Sequence, residues 1–507
     1  MYLIGIDVGT SGVKSLLITE KGEVMAEATK SYSTSSPKPS WFEQNPDDWW
    51  SATVNAIRQM LSEAAVDSTK VAGIGLSGQY HGLVILDKNQ KVLRPSILWN
   101  DQRTAKQSDY IIQKVGKETL LRICATQGAP YFTACKLQWV HDNEPNNYKR
   151  VHKMMLPKDY IRFKLTGEFV TDVTDASGTL FLDIRKRCWS EKVTQLLGVD
   201  IDILPDIVES SEISGKITRK AAEETGLKHG TPVAGGAGDQ AAAALGIGIV
   251  EEGIAAYSIG TSGVIYAATD DLKIDKKGRF NTFCHSVPGK WCVLACINSA
   301  TGSYQWYQDK FAIWERSVAE QRGVNIHKVI EEQASHAPIG SDKLIFLPYL
   351  SGERHPHTDT NARGVFFGLH TGHDKSHFIR SILEGVAFSF KDCLVVMKEH
   401  NIKIHKIRAT GGGSQSKLWM DILVNVSGQP ITLMVADTGG AAFGAAILGG
   451  VCAGVFNDVK EACERTVTTG KTFNPEKIKV NEYGKYYSIF RTLYPILKES
   501  YAQLAEL

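Results

Sequence analysis

Short apolar runs separated by glycine turns open the chain. Leu3 to Val8 is apolar apart from Asp7, Gly9-Thr10-Ser11-Gly12 is a turn, and Val13 to Thr19 leaves it. Lys21-Gly22 turns the chain again into Glu23 to Thr29, so three short antiparallel strands are predicted. Asn45-Pro46-Asp47-Asp48 then reads as a helix start: Asn45 can cap, Pro46 suits the first turn, and the two acids complement the helix dipole. A strand over Val71 to Leu76 and a helix over Gln102 to Val115 follow. Strands that give way to alternating helix and strand predict an α/β fold.

The later pattern repeats the opening. Gly9-Thr10-Ser11-Gly12-Val13 returns as Gly260-Thr261-Ser262-Gly263-Val264, with an apolar strand entering and another leaving each copy. Two domains of similar topology are expected, abutting near residue 246 because no Pro- or Ser-rich linker separates them. The second half continues with a strand at Trp291 to Ile297 and a helix after Thr301. A long amphipathic helix is predicted from about Asp374 to about His400, with Phe378, Ile382, Leu383, Val386 and Phe390 on its apolar side. A strand over Ile407 to Thr410 and helices over Lys417 to Val426 and Gly440 to Val451 complete the pattern.

Composition narrows the class. In 507 residues, 57 Lys and Arg face 55 Asp and Glu, and no polybasic run is present, so nucleic-acid binding is not expected. Hydrophobic residues at 43% and charged residues at 22% suit a folded globular chain. The nine cysteines are odd in number and form no CxxC pair, which argues against a disulfide scaffold; Cys292 and Cys296 read as buried positions on a strand. Thr438 to Phe456 carries no charge, but its many glycines and alanines predict a tightly packed core helix, and no membrane association is expected. With no basic start and Asp7 before any long apolar run, a signal peptide is not predicted and a cytoplasmic location is expected.

Several turns carry candidate chemistry. A Gly-Thr-Ser-Gly turn after a strand offers backbone N–H groups and two hydroxyls to phosphate; one copy alone also fits a plain hairpin. Two copies suggest two loops, with Thr10 and Ser11 in one and Gly260, Thr261 and Ser262 in the other, gripping one polyphosphate. Asp7, two residues before the first loop, is a candidate Mg²⁺ anchor acting through water. Asp239, after Gly235-Gly236-Ala237-Gly238, is either a helix cap or a base that accepts a hydroxyl proton during phosphoryl transfer. Gly411-Gly412-Gly413 leaves room for a flat group such as adenosine, although the chain has neither GxGxxG nor a Walker A lysine motif. Gln79-Tyr80-His81-Gly82 and the Trp99 to Arg103 segment combine amide, imidazole, indole and guanidinium, which suit a polyhydroxylated ligand or a set of satisfied structural polar groups.

Two long patterns add a resemblance. Tyr131-Phe132-Thr133-Ala134-Cys135-Lys136-Leu137-Gln138-Trp139-Val140-His141-Asp142-Asn143 is the first, and the second runs from Gly364 to Leu369 through His377-Phe378 to Ser381-Ile382-Leu383-Glu384. With them the chain resembles, over essentially its whole length, the FGGY carbohydrate kinases. WFEQNPDDWW from Trp41, GQYHG from Gly78 and ILWNDQR from Ile97 resemble the xylulokinase members most. The resemblance implies two ribonuclease-H-like domains of the actin, Hsp70 and hexokinase superfamily around a cleft, with 1–246 binding sugar and 247–507 binding nucleotide. It implies ATP with Mg²⁺, Asp239 as general base, Asp7 near the metal, the second loop on the phosphates and Gly411, Gly412 and Gly413 beside adenosine. Gln79, Tyr80, His81, Trp99, Asp239 and Gln240 are placed around the sugar. D-xylulose is the first expected substrate, giving D-xylulose 5-phosphate, with D-ribulose or another polyol as alternative. An actin- or Hsp70-like ATPase is the remote one. The chain departs from many xylulokinases in carrying Tyr80 for Met and Gln240 for Asn. A homodimer is left open, and Lys136 and Glu384 receive no role.

Overall fold

The computed structural model describes residues 1–435 and 440–507. Strands β1 (Tyr2–Val8), β2 (Gly12–Thr19) and β3 (Val24–Ser31) form an antiparallel meander. Helix α1 (Pro46–Ala64) starts where its cap does: the Asn45 side chain accepts from the Asp47 N–H. β4 (Val71–Gly78) returns parallel to β1. Helices α2 (Ala105–Val115), α3 (Thr133–Asn143) and α4 (Pro157–Thr166) follow. α2 begins at Ala105 rather than Gln102, because Asp101 folds back to accept from both the N–H and the guanidinium of Arg103 and holds these residues in a turn. β5 (Ile213–Lys216), β6 (Pro232–Ala234) and β7 (Ala237–Gly238) complete the sheet in the order β5–β6–β4–β1–β2–β3, with β7 beside the end of β4. Helix α5 (Asp239–Gly246) leaves β7 without a loop.

A second sheet forms from β8 (Gly253–Ile259), β9 (Gly263–Thr269), β10 (Asn281–Cys284) and β11 (Trp291–Ile297), joined after helices α6 (Thr301–Lys310), α7 (Ile326–Ala334) and α8 (Lys375–Glu399) by β12 (Ile404–Thr410). Helix α9 (Lys417–Ser427), strand β13 (Ile431–Met434), helix α10 (Ala441–Cys452) and strand β14 (Thr469–Phe473) follow. The order is β10–β11–β9–β8–β12–β13–β14. Read outward from β1 and β8, the two sheets pair with the same senses. The paths β3–β2–β1–β4–β6–β5 and β11–β9–β8–β12–β13–β14 both run antiparallel, antiparallel, parallel, parallel, antiparallel. The repeated five-residue word therefore marks a repeated architecture, mixed α/β in both halves.

The uncharged stretch near residue 450 becomes α10, a buried helix; Thr438 and Gly439 at its start lie outside the described residues. Although it comes late in the chain, α10 lies on the first sheet and against α5. Its approach is so close that a Cβ at Gly75 would stand 1.8 Å from Ala445 O, and one at Gly444 would stand 1.9 Å from Ala242 O. Glycine at these crossings is what allows backbone to rest on backbone. No helix among the described residues is long and apolar enough to cross a membrane. Cys292 and Cys296 are both buried in β11.

Candidate active site

Parallel neighbours end together, so their trailing loops gather at one edge of each sheet. Val8 of β1 and Gly238 of β7 both register with Gly78 of β4. The first Gly-Thr-Ser-Gly loop, the Gln79–Gly82 turn and Asp239 therefore emerge side by side. In the second sheet Ser258 of β8 registers with Thr410 of β12, which sets the Gly260–Gly263 loop beside Gly411–Gly413.

Asp239 is the first residue of α5, and the cap position belongs to Gly238, which has no side chain to offer. The carboxylate is thus not a helix cap. Burial and the negative charge of Asp7 push its pKa up to about 7, against hydrogen bonds from Gln240. Asp7 is itself raised to about 6 by burial, opposed by the neighbouring Ser77 hydroxyl and the charge of Lys14. Its Oδ1 is buried without a hydrogen-bond partner. Two half-buried carboxylates that are both held up in pKa by burial, one of them also by the other's charge and one with an orphaned oxygen, fit a hydrated divalent cation, which would restore both charges.

The first loop is braced from behind. Gln44 donates to Thr10 O at 2.7 Å, the Tyr32 hydroxyl donates to Gly9 O, and the indole N–H of Trp99 donates to Thr10 Oγ1 at 3.0 Å. Gln79 is fully buried and gives its amide to Gln44 Oε1 at 3.1 Å and Gly9 O at 3.4 Å. Gln79 is thus enclosed beside the loop, whereas Trp99 is 37% exposed. Ser11, Thr261 and Ser262 are exposed, and the second loop is tied to the start of α6 by the N–H groups of Ala300 and Thr301 donating to Thr261 O and Gly260 O, each at 2.8 Å.

Tyr80 lies over Gly238, where a Cβ would stand 2.2 Å from its Cζ, and stacks on Phe283 of the second half with centroids 6.0 Å apart. His81 holds a left-handed backbone conformation (φ 67°) and donates from Nδ1 to Gly178 O at 2.8 Å. Burial, with the charges of Lys136 and Arg354, drives its pKa down to about 3. The ring is therefore neutral, and Nε2 remains an acceptor for a hydroxyl. Three site residues escaped the sequence reading. Tyr131 packs 5.2 Å from His81, its hydroxyl accepts from Asn281 Nδ2 at 3.2 Å, and Arg354 lies over its ring. Asn281 and Arg354 come from the second half, and nothing local in sequence joins them to Tyr131.

Beneath the Gly235–Gly238 turn lies a fully buried ionic cluster. Lys158 Nζ is 2.6, 2.9 and 3.0 Å from Asp159, Asp172 and Asp175. Arg162 donates to Asp159 at 2.6 Å and to Gly235 O, while Thr174 Oγ1 accepts from Gly238 N–H at 3.0 Å and donates to Asp172 at 2.6 Å. The turn that presents Asp239 is thereby held from both ends.

Near Gly412 and Gly413 a cavity of about 430 Å³ is lined by Thr301, Tyr304, Gln305 and Trp419. A Cβ at Gly412 would meet nothing within 4 Å, whereas one at Gly413 would stand 2.4 Å from Ile259 Cγ2, so the backbone forms one wall and leaves the other side open.

Sequence profiles of the N-terminal and C-terminal domains of the FGGY family of carbohydrate kinases match residues 2–246 and 255–453. The chain belongs to that family. The kinase is 34% identical over 498 residues to a xylulose kinase of Bacillus subtilis strain 168, covering 98% of this chain and 97% of the relative. A crystal structure described as a xyloylose kinase from Brucella ovis superposes with a TM-score of 0.91 at 36% identity, over 98% of this chain and 100% of that one. A gluconokinase of Bacillus subtilis is 28% identical over 507 residues, covering 100% of this chain and 98% of the relative. The two-domain FGGY fold is thus shared with enzymes that differ in acceptor.

Within the kinase, two signature residues without an assigned role are structural. Lys136, fully buried, donates to Tyr131 O and fixes the segment that carries Tyr131. Glu384 takes Arg380 Nε at 2.8 Å, the Gly340 N–H at 3.0 Å, Ser341 Oγ at 2.9 Å and the Tyr483 hydroxyl at 3.1 Å. It pins α8 to a turn in which Ser341, Asp342 and Lys343 all hold positive φ.

Proposed function

We propose that this carbohydrate kinase transfers the γ-phosphoryl group of ATP to a primary hydroxyl of an open-chain ketopentose, D-xylulose first, giving D-xylulose 5-phosphate. The observation that carries the reading is Asp239, freed from capping, raised in pKa and set beside Asp7 at the strand ends. Asp239 accepts the hydroxyl proton as the oxygen attacks in line. Asp7 holds hydrated Mg²⁺, which supplies the charge that screens the transferring phosphates. Thr10, Ser11, Gly260, Thr261 and Ser262 hold the phosphates, and the adenosine lies in the cavity beside Gly411, Gly412 and Gly413. His81 Nε2, Tyr80, Gln240 and the exposed face of Trp99 meet the sugar, while Gln79 braces the first loop. We divide the chain at about residue 246 into a sugar-binding and a nucleotide-binding half and place the enzyme in the cytoplasm.

Two phosphate loops from two halves hold one nucleotide only when the cleft is shut. Sugar therefore favours closure, and closure keeps water from taking the phosphoryl group. The xylulose kinases among the relatives support D-xylulose as the first reading, and the gluconokinase supports a six-carbon acid as the second. Phosphorus NMR of a reaction with ATP, Mg²⁺ and D-xylulose tests the proposal. A phosphomonoester coupled to the C5 protons is expected, and its absence at full ATP turnover would refute it.

A further inference from the structure

Arg354 is a half-buried cation that the fold leaves unpaired. Among the described residues its guanidinium makes no hydrogen bond and no ion pair, and it lies with its central carbon 5.1 Å from the centroid of Tyr131 across the seam between the halves. Its backbone, by contrast, is fixed on both sides. Glu353 Oε1 accepts from the N–H groups of Asn298 and Arg354 at 2.7 and 2.8 Å, and Asn298 Nδ2 donates to Gly352 O at 3.1 Å. His355 donates its N–H to Cys296 O and accepts the Cys296 N–H on Nδ1, both at 3.0 Å. The segment is zipped to the end of β11, the neighbour of the strand that leaves the second phosphate loop. Glu353 and His355 are each 3% exposed, whereas the residue between them is half-buried and lines a cavity with Tyr131 and Asn281.

A guanidinium cannot shed its charge, and holding one fixed and partly desolvated without a partner is costly unless a ligand completes it. The adjacent Glu353 forms no ion pair with it: its Oε1 accepts backbone N–H groups, and burial pushes its pKa up to about 8 even against the charge of Arg354, so its carboxyl is largely protonated at neutral pH. Position limits what the ligand can be. Arg354 lies over the ring of Tyr131, and that ring packs 5.2 Å from His81. Arg354 therefore stands at the His81–Tyr131 end of the site.

We propose that Arg354 is a substrate-specificity residue supplied by the second half, binding through its forked N–H groups the oxygen-bearing end of the open-chain sugar remote from the hydroxyl that receives phosphate. The proposal rests on the sugar-kinase reading above. A ligand held between His81 and Arg354 ties the two halves together. A carboxylate at that end makes a bidentate, charge-assisted pair with the guanidinium, so aldonates of matching length are ligands.

The test compares Arg354→Gln and Arg354→Lys with the wild type, using D-xylulose as substrate and D-xylonate as the five-carbon acid. In Arg354→Gln the KM for D-xylulose is expected to rise tenfold or more with a smaller change in kcat and with the KM for MgATP within twofold. Competitive inhibition by D-xylonate weakens by a larger factor than that rise, and Arg354→Lys restores inhibition only in part. An unchanged sugar KM with unchanged D-xylonate inhibition overturns the proposal. So does a shift confined to the KM for MgATP, or equal losses for D-xylulose and D-xylonate accompanied by a lower melting temperature, which mark a brace between halves. Wild-type turnover of D-xylulose separately tests the underlying reading. If it is absent, calorimetric binding of D-xylonate to wild type and Arg354→Gln still decides the subsite: equal binding overturns it, and a tenfold loss supports it.

Discussion

Replacing Asp239 with asparagine separates a capping role from a chemical one. Asparagine caps a helix about as well as aspartate, so a cap would survive the substitution with little change in stability. A carboxylate kept for chemistry instead gains stability when it is replaced, because its raised pKa makes the folded state bind the proton more tightly than the unfolded state. Between the unfolded value near 3.8 and the folded value of about 7 the native protein holds more protons, so stability falls as pH rises through that window. At 1.36 kcal/mol per pKa unit the shift corresponds to at most about 4 kcal/mol above pH 7. Partial exposure and the favourable helix dipole at the first residue of α5, worth about 0.5 kcal/mol, reduce the expected net gain to about 1–3 kcal/mol. Asp239→Asn should therefore be more stable than wild type at pH 8 in urea unfolding without nucleotide or Mg²⁺, and the gain should vanish near pH 4. In the same protein, turnover should fall by about 10²-fold or more while sugar binding survives. No gain in stability at pH 8, or near-normal turnover, would refute the reasoning.

Asp7→Ala should raise the Mg²⁺ concentration for half-maximal rate at least tenfold while leaving sugar binding without nucleotide unchanged; an unaltered Mg²⁺ titration counts against the metal assignment. Trp99→Phe removes the indole bond to Thr10, worth about 1 kcal/mol, and should raise the KM for ATP about fivefold, read in steady-state kinetics at saturating sugar. Gly75→Ala drives a methyl into the α10 backbone and should destabilise by about 3 kcal/mol or more, measured by urea unfolding; a change under 1 kcal/mol would contradict the described contact.

The elements that carry strong local signals were legible in the sequence. The Asn45 cap, the Trp291–Ile297 strand and the long helix after Asp374 stand where their residues place them, and the repeated Gly-Thr-Ser-Gly-Val word marks two sheets with the same pairing senses. The start of α2 was not legible, because it depends on Asp101 turning back on Arg103 rather than on apolar spacing. The packing of α10 on the first sheet was foreseen only as tight packing; its partner is set by Gly5, Gly73 and Gly75, far away in sequence. At the site, Thr10 and Asp239 announce themselves beside glycines, and Asp7 as an acid within an apolar strand. The Tyr131–Arg354 contact and the Lys158 cluster do not, since each joins residues from separate segments. The charged residues within LPKDYIRF and VTDVTDAS were the available signal, because ionised groups in apolar surroundings need partners.

The most direct test is kcat/KM by coupled ADP detection across D-xylulose, D-ribulose, L-xylulose, L-ribulose, D-fructose, D-gluconate and glycerol, with a sugar-free control. ADP release should depend on sugar and should be most efficient with D-xylulose, with glycerol poor because it leaves polar groups of the site unpaired. A different sugar at the head of the series would contradict the assigned substrate, and equal ADP release with and without every sugar would contradict sugar phosphorylation itself.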